Sequence, residues 1–539
     1  MRTIRPIPAA LIPALLLAGC VLDRPADTGL RGEVVVIPAP PKVEAPPAPA
    51  LAETAPPAQE AEAAPPPSPP PPPPDLWSEL RTAFALPASD HRRVGNHLRW
   101  LKRHPDYLDR VFRRGEPYMG WILEEVRQRG LPAELVLLPV VESGYNPFAY
   151  SHGRAAGLWQ FIPATGKRFG IRQNWWYDGR RDLVDSTRAA LDYLEYLNRR
   201  FKGDWLLALA AYNSGEGNVH KALRRNRKRG KPTDFWSLKL PAETREYVPR
   251  LIALKRIVAD PAAYGLSLPD IEAGNRLALV ETGGQIDLAL AAELAGLPLE
   301  DVYRLNAGFN RWATDPAGPH RLVLPRDRAQ AFADALAALP PEQRVRWARH
   351  RVRPGETLSH IARRYETTVA LLSRVNGVRP TRLRAGDYLL IPVARRELAD
   401  YSLSAAQRQA ALHDRKRSGI KVVHRVRAGD TLWDLARQYG VGVRSLAKWN
   451  GMAPGDTLRE GQKLVIWTRP AAGSASALPG GSLRKISYRV RKGDSLARIS
   501  RKFRVSVEDL KRWNGLDGRK YLQPGQRLTL YVDITRQSS

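Results

Sequence analysis

Apolar residues between about 90 and 265 recur at helical spacing, and the two-residue alternation of strands is hard to find there. Asp182–Phe201 sets Ala190, Leu194, Leu197 and Phe201 on one face, the i, i+4, i+7, i+11 series of an amphipathic helix. Asp204–Tyr212 is an apolar run that stops at Asn213-Ser214-Gly215. Glu116–Arg129 places Pro117 just inside its start and meets Gly130-Leu131-Pro132 at its end, which predicts a helix over that span. Residues 90–265 are therefore expected to form a compact, mainly α domain with short Gly/Asn-rich turns.

Beyond residue 343 the pattern changes and repeats. His350-R-V-R-P-G-E-T-Leu358, His424-R-V-R-A-G-D-T-Leu432 and Tyr488-R-V-R-K-G-D-S-Leu496 are one string in three copies. In each copy 21 residues separate the glycine from the asparagine of an Asn-Gly pair: Gly355 to Asn376, Gly429 to Asn450, Gly493 to Asn514. Ten or eleven residues later a second glycine opens an alternating apolar strand. Two short amphipathic runs lie between, the first preceded by a capping Thr357, Thr431 or Ser495. The reading is three small βααβ units at 349–393, 424–468 and 488–532. Residues 266–342 hold a degenerate fourth: relative to Asn306, Leu288 and Ala292 fall where Leu358 and Ala362 fall relative to Asn376. Pro470–Ser482, rich in Ala, Gly and Ser, reads as a flexible connector.

The N-terminus is of another kind. Arg2 and Arg5 precede a short apolar segment, too short to span a bilayer and shaped like a secretory signal, which ends at Leu17-Ala18-Gly19-Cys20. Cys20 is the single cysteine, so no intramolecular disulfide and no cysteine-rich metal site is possible. The stretch resembles a bacterial lipoprotein box, which implies a signal peptide at 1–19, a lipidated Cys20 and a membrane anchor. Val21, rather than Asp, after the cysteine implies by that resemblance the periplasmic side of a Gram-negative outer membrane. From Val21 to Pro74 the chain is Pro/Ala/Glu-rich and cannot form a core; 20–89 is expected to be anchor and disordered linker. Fully extended, such a linker reaches on the order of 150 Å.

Charge sharpens the division. The formal net charge is +31, and residues 343–539 carry 41 Lys+Arg against 15 Asp+Glu, leaving only +5 for everything before them. The C-terminal arm thus suits an anionic partner as well as a solvated basic surface. Aromatic residues are sparse in it and no nucleic-acid motif occurs, so nucleic acid is not the expected partner. The run Arg224–Lys231 reads as a solvated loop.

The candidate chemistry lies at Glu142, a carboxylate directly after the apolar run Leu135–Val141 and before a Gly/Asn/Pro turn. A carboxyl at the end of a buried helix facing a polar loop is placed for a raised pKa and general-acid work. Glu142-Ser143, Ser151, Gly157-Leu158-Trp159-Gln160, Ala211-Tyr212-Asn213-Ser214-Gly215 and Glu243-Thr244-Arg245-Glu246-Tyr247-Val248-Pro249 together resemble the soluble lytic transglycosylase catalytic domain, and more closely its membrane-bound D-type members. Arg154-Ala155 departs from the Gly-Ala common in relatives, which bears on loop shape. The resemblance implies a lysozyme-like α fold that needs no cofactor and no metal. It implies cleavage of the β-1,4 bond between N-acetylmuramic acid and N-acetylglucosamine, closing a 1,6-anhydro ring, with Glu142 as the one essential carboxyl. Ser151, Gln160, Tyr212, Asn213 and Tyr247 would hold the sugar or orient the acid. A hydrolytic muramidase would instead need a second carboxylate for a water, with Asp178, Asp182 and Glu216 in reach along the sequence. A catalytically silent membrane-to-wall tether is the third reading.

The three repeats resemble the LysM module, which binds N-acetylglucosamine-containing polymers such as peptidoglycan. The resemblance implies peptidoglycan glycan strands as partner, and a shallow site near Gly355, Thr357 and Asn376, Gly429, Thr431 and Asn450, and Gly493, Ser495 and Asn514. Asn before Gly is equally a turn residue. Weak sites linked in series gain avidity through effective concentration.

Overall fold

The computed structural model describes residues 75–468 and most of 483–533. Cys20, the proline-rich linker up to residue 74, the 470–482 connector and Gly493 lie outside the described residues. Residues 75–89, expected to belong to that linker, are instead ordered, because the helix Leu76–Thr82 buries Leu76, Trp77 and Leu80 in the core of the first domain. The first domain comprises α1 (Leu76–Thr82), α2 (Arg92–Lys102), α3 (Pro105–Gln128), α4 (Leu138–Glu142), α5 (Pro163–Arg168), α6 (Leu183–Arg200), α7 (Trp205–Ser214), α8 (Glu216–Arg227) and α9 (Ala242–Ala259). Aspartates cap both helix starts read from the sequence, since Asp182 accepts from Asp185 N at 2.8 Å and Asp204 from Leu207 N at 3.0 Å, and Asp75 caps α1 in the same way through Ser78 N at 2.7 Å. The start expected at Glu116 is wrong. Helix α3 begins eleven residues earlier and runs through Pro117, because Leu108, Val111, Phe112, Gly115, Met119 and Ile122 form one continuous buried stripe. Packing along that stripe outweighs the hydrogen bond proline removes.

The core of this domain gathers α3, α6, α7 and α9 around Phe112, Met119, Leu194, Leu209 and Leu251. Within it Glu134 is fully buried, yet it is satisfied. It accepts from Ala85 N and Leu86 N at 3.0 and 2.8 Å and pairs with Lys255 Nζ at 2.8 Å, tying the chain before α2 to α9.

Next come β1 (Leu277–Glu281), α10 (Leu288–Ala295), α11 (Leu299–Leu305), β2 (Arg321–Pro325) and an added α12 (Arg326–Ala337). The same βααβ order recurs as β3 (Arg346–Arg351), α13 (Leu358–Arg364), α14 (Val369–Asn376), β4 (Tyr388–Val393). It recurs again as β5 (Ile420–Arg425), α16 (Leu432–Gln438), α17 (Val443–Trp449), β6 (Lys463–Thr468), and as β7 (Leu483–Arg489), α18 (Leu496–Phe503), α19 (Val507–Asn514), β8 (Arg527–Asp533). Helix α15 (Ala405–Asp414) joins the first two repeats. Each strand pair is antiparallel, for example His350 opposite Leu389 and His424 opposite Leu464.

One clamp recurs in all four modules. Asn450 Nδ2 donates to Leu446 O and Val465 O while its Oδ1 accepts from Val465 N, all at 2.7–2.8 Å. Asn376, Asn514 and Asn306 make the same three bonds to their own helix and last strand. The fourth module shares a core with the first domain. Trp176 and Tyr177 pack among Leu288, Tyr303, Phe309 and Trp312, and Asp178 N donates to Gly308 O at 2.8 Å.

Candidate active site

Helix α4 is one short turn with Pro139 near its start, entered through the buried turn Ala133–Leu137. Glu142 is its last residue, so the backbone reverses immediately after it through Gly144 (φ 58°) and Tyr145 (φ 55°). Tyr145 is held in that left-handed conformation by its hydroxyl, which donates to Val136 O at 2.5 Å, and by Gly115, where any Cβ would lie 2.8 Å from its ring. Ser143 Oγ donates to Leu158 O at 2.9 Å, joining the acid's turn to the Gly157–Gln160 element. Gly157 (φ 82°) is required there, since a Cβ would sit 1.8 Å from Arg180 O.

An open cleft of about 460 Å³ has Glu142, Ser151, Gln160, Tyr212, Asn213 and Tyr247 in its lining. The structure thus brings together all six residues singled out in this domain. Tyr247, from α9, donates its hydroxyl to Glu142 Oε1. Tyr212 donates to Trp159 O at 2.9 Å, so it offers the cleft a ring and leaves the acid to Tyr247. Ser151 Oγ accepts from Gly153 N and Ala155 N at 3.2 and 3.0 Å, which shapes the loop and leaves its own proton to donate. Gln160 (φ 50°) donates to Gly157 O at 2.9 Å, and Asn213 Oδ1 accepts from Thr244 Oγ1 at 2.8 Å, linking α7 to α9.

Burial pushes the Glu142 carboxyl up; the Tyr247 hydrogen bond pulls it down, Glu243 adds to the rise, Arg250 opposes it, and the result is about 7. Glu243 and Arg250 share the α9 face of Tyr247 at i−4 and i+3 and also line the cleft. Sequence reasoning passed over both, although their helical spacing from Tyr247 marks that face. None of Asp178, Asp182 and Glu216, the carboxylates considered from the sequence, is among the cleft's lining residues. Asp178 is locked to Arg180 at 2.8 Å, Asp182 caps α6 and pairs with Arg321 at 2.9 Å, and Glu216 faces Arg168 at 3.6 Å.

In the repeats Gly355 (φ 79°) and Gly429 (φ 86°) form the expected turns, and Thr357, Thr431 and Ser495 cap the following helices at 3.1–3.2 Å. Asn376, Asn450 and Asn514, open from the sequence as glycan ligand or turn residue, each direct their amide hydrogens and Oδ1 to the backbone clamp; Asn450 is 1% exposed and the other two are half-buried. The physical reason is that the amide's donors and acceptor match the unpaired groups where helix meets strand. Trp433, 62% exposed beside the Thr431 cap, is an aromatic surface that sequence reasoning passed over. Among the described residues no group of three or more His, Cys, Asp or Glu could hold a metal, and no helix is long and apolar enough to cross a membrane.

Comparison with known proteins bears on this arrangement. Residues 119–235 match the transglycosylase SLT domain, 276–341 the LysM-like domain of lytic transglycosylase MltD, and 350–392, 424–467 and 488–530 the LysM domain. The chain is 36% identical over 458 residues to membrane-bound lytic murein transglycosylase D of Escherichia coli K12, covering 85% of this chain and 86% of that protein. It is 32% identical over 172 residues to an autolysin of Enterococcus faecalis, covering 31% of this chain and 22% of that one. Among solved structures, the 70 kDa soluble lytic transglycosylase of Escherichia coli aligns at 20% identity and a TM-score of 0.25, covering 34% of this chain and 30% of that one. The helical domain with its cleft is that of a lytic transglycosylase, carried with LysM peptidoglycan-binding modules. The chain belongs to the membrane-bound lytic murein transglycosylase D family.

Proposed function

We propose that Glu142 cleaves the β-1,4 bond between N-acetylmuramic acid and N-acetylglucosamine in peptidoglycan without adding water. The observation that carries this is a carboxyl raised to about 7 in a cleft, with one oxygen engaged by Tyr247. At neutral pH such a group is divided between acid and carboxylate, as a residue that must act in both forms requires. The protonated form gives its proton to the glycosidic oxygen as the C1–O bond breaks. The carboxylate left behind, held by the Tyr247 hydroxyl, takes the proton from the muramic acid C6 hydroxyl as its oxygen bonds to C1. The 1,6-anhydro ring closes and Glu142 ends protonated, ready for the next bond.

The remaining residues have chemistry that suits an acetamido sugar. Ser151 keeps a hydroxyl proton to donate, Gln160 keeps its carbonyl oxygen to accept, and Tyr212 presents a ring to a sugar face. We propose further that Cys20 is lipidated, anchoring the protein to the periplasmic side of the outer membrane, and that the repeats hold it on the wall.

Digestion of purified sacculi tests the reaction. Product ends lighter than hydrolysed ends by the mass of one water are expected; hydrolysed ends in their place would assign the cleft to a muramidase. Glu142→Gln should release no product while still sedimenting with sacculi. Release by that variant would remove Glu142 from the acid's role.

A further inference from the structure

The wall of the cleft formed by Ser151, His152, Gly153 and Ala155 is gripped from outside the catalytic domain. Asp456 lies in the loop between α17 and β6 of the second repeat. It accepts from Tyr150 Oη at 3.3 and 3.1 Å on its two oxygens, and its Oδ1 lies 2.9 Å from Arg154 Nε. Its Oδ2 also accepts from Ala453 N at 2.8 Å, which shapes its own loop. One carboxylate thus holds both shoulders of the substrate-lining loop. We propose that Asp456 is a positioning residue for the cleft: through Tyr150 and Arg154 the second repeat keeps the 150–155 loop in its substrate-lining shape, so that full cleavage needs this repeat docked. The proposal rests on the reading of this cleft as the cleavage site.

Three further observations support it. The loop's backbone is held by Ser151 N to Ala155 O at 2.9 Å, Arg154 N to Ser151 O at 3.0 Å, the two amides on Ser151 Oγ at 3.2 and 3.0 Å, and Arg180 Nη1 to Arg154 O at 2.8 Å, while its Tyr150 and Arg154 side chains reach outward to Asp456. Arg154 also sits at φ 68°, a conformation glycine would adopt without strain, so its side chain must return something a glycine cannot. Its contact with Asp456, 15% exposed, is that return. Second, the acid is peculiar to this repeat. The corresponding position is Lys520 in the third repeat, and the shorter loop of the first carries Thr381-Arg382 there. Third, the repeat is docked along a continuous path. Tyr401 Oη donates to both oxygens of Asp287 at 2.9 Å, Ala405 N to Asn310 O at 2.9 Å, Arg408 lies 4.4 Å over the Phe148 ring, and Gly451 leaves room for Leu412.

The test uses the full chain and soluble, uncrosslinked glycan strands, so that wall binding does not limit the rate. Lysine is the residue the third repeat already has at this place, so Asp456→Lys leaves a foldable repeat. It should lower kcat/KM on the order of fivefold to tenfold. Pull-down by sacculi should stay unchanged, and amide exchange across 151–157 should quicken. Arg154→Glu should do the same, and the two together should recover most of the rate and the protection, which a merely structural loss cannot do. Wild-type rates in D456K, or a double variant no faster than either single one, would overturn the proposal. Glu142→Gln run beside them separates the two readings: product from that variant defeats the assignment of the acid, whatever Asp456 does.

Discussion

At Glu142 two effects oppose each other, and their balance sets both rate and stability. Burial favours the neutral carboxyl, while Tyr247 and Arg250 favour the carboxylate. Removing the donor in Tyr247→Phe should therefore raise the Glu142 pKa above about 7, so the alkaline limb of the kcat/KM profile moves to higher pH. The maximum should fall on the order of tenfold to a hundredfold, because the second step loses the hydroxyl that holds the carboxylate. A profile that kept its shape would show that Tyr247 does not tune the acid. The same raised pKa has a sign for stability. The folded protein holds this proton more tightly than the unfolded chain does, so the contribution is fully present below the unfolded pKa near 4.5 and is lost as pH rises through about 7. Above that, charging Glu142 costs the fold on the order of 3 kcal/mol. Glu142→Gln should accordingly gain more Tm at pH 8 than at pH 4, read by calorimetry at both.

Among elements, what could be read from sequence was what short-range physics decides. Asp182 and Asp204 announce their helices because a cap is satisfied within three residues. The three repeats announce themselves because the same spacing must rebuild the same clamp. Where the outcome depends on distant packing, the sequence is silent or misleads. Pro117 reads as a helix start, yet the buried stripe on both sides carries the helix through it. The repeat asparagines read equally as ligand and as brace, since an amide's donors and acceptor serve either; only the helix–strand partners decide. Asn450→Ala leaves Val465 N, Val465 O and Leu446 O without their partner and should cost the second repeat about 2–4 kcal/mol. Hydrogen exchange should show that loss in β5, α16, α17 and β6, with β7 and β8 of the third repeat unaffected. If instead the repeat stays protected while sacculus binding falls, the asparagine is a ligand after all.

On the scale of the whole molecule, the arm has two tasks that separate at the connector after β6. A basic string of glycan-binding repeats acts by avidity, in which each copy adds to retention and none is essential. The contact of Asp456 with Tyr150 and Arg154, some 300 residues apart in sequence, acts by geometry and belongs to one copy alone. No local signal could have disclosed it: a lone aspartate in a turn and an arginine in place of glycine gain meaning only when the fold brings them together. The two tasks predict different responses to shortening. Ending the chain after Thr468 removes the third repeat but keeps α15 and the second repeat. Sacculus retention should fall several-fold while cleavage of soluble strands stays at the full-length rate. Ending it after Val393 also removes α15, with its Arg408–Phe148 contact, and Asp456. Cleavage of soluble strands should then fall on the order of tenfold although every residue lining the cleft is still present. Were retention the arm's whole purpose, both truncations would cut soluble strands equally well, and the rate measured on strands too short to engage the repeats decides between these outcomes.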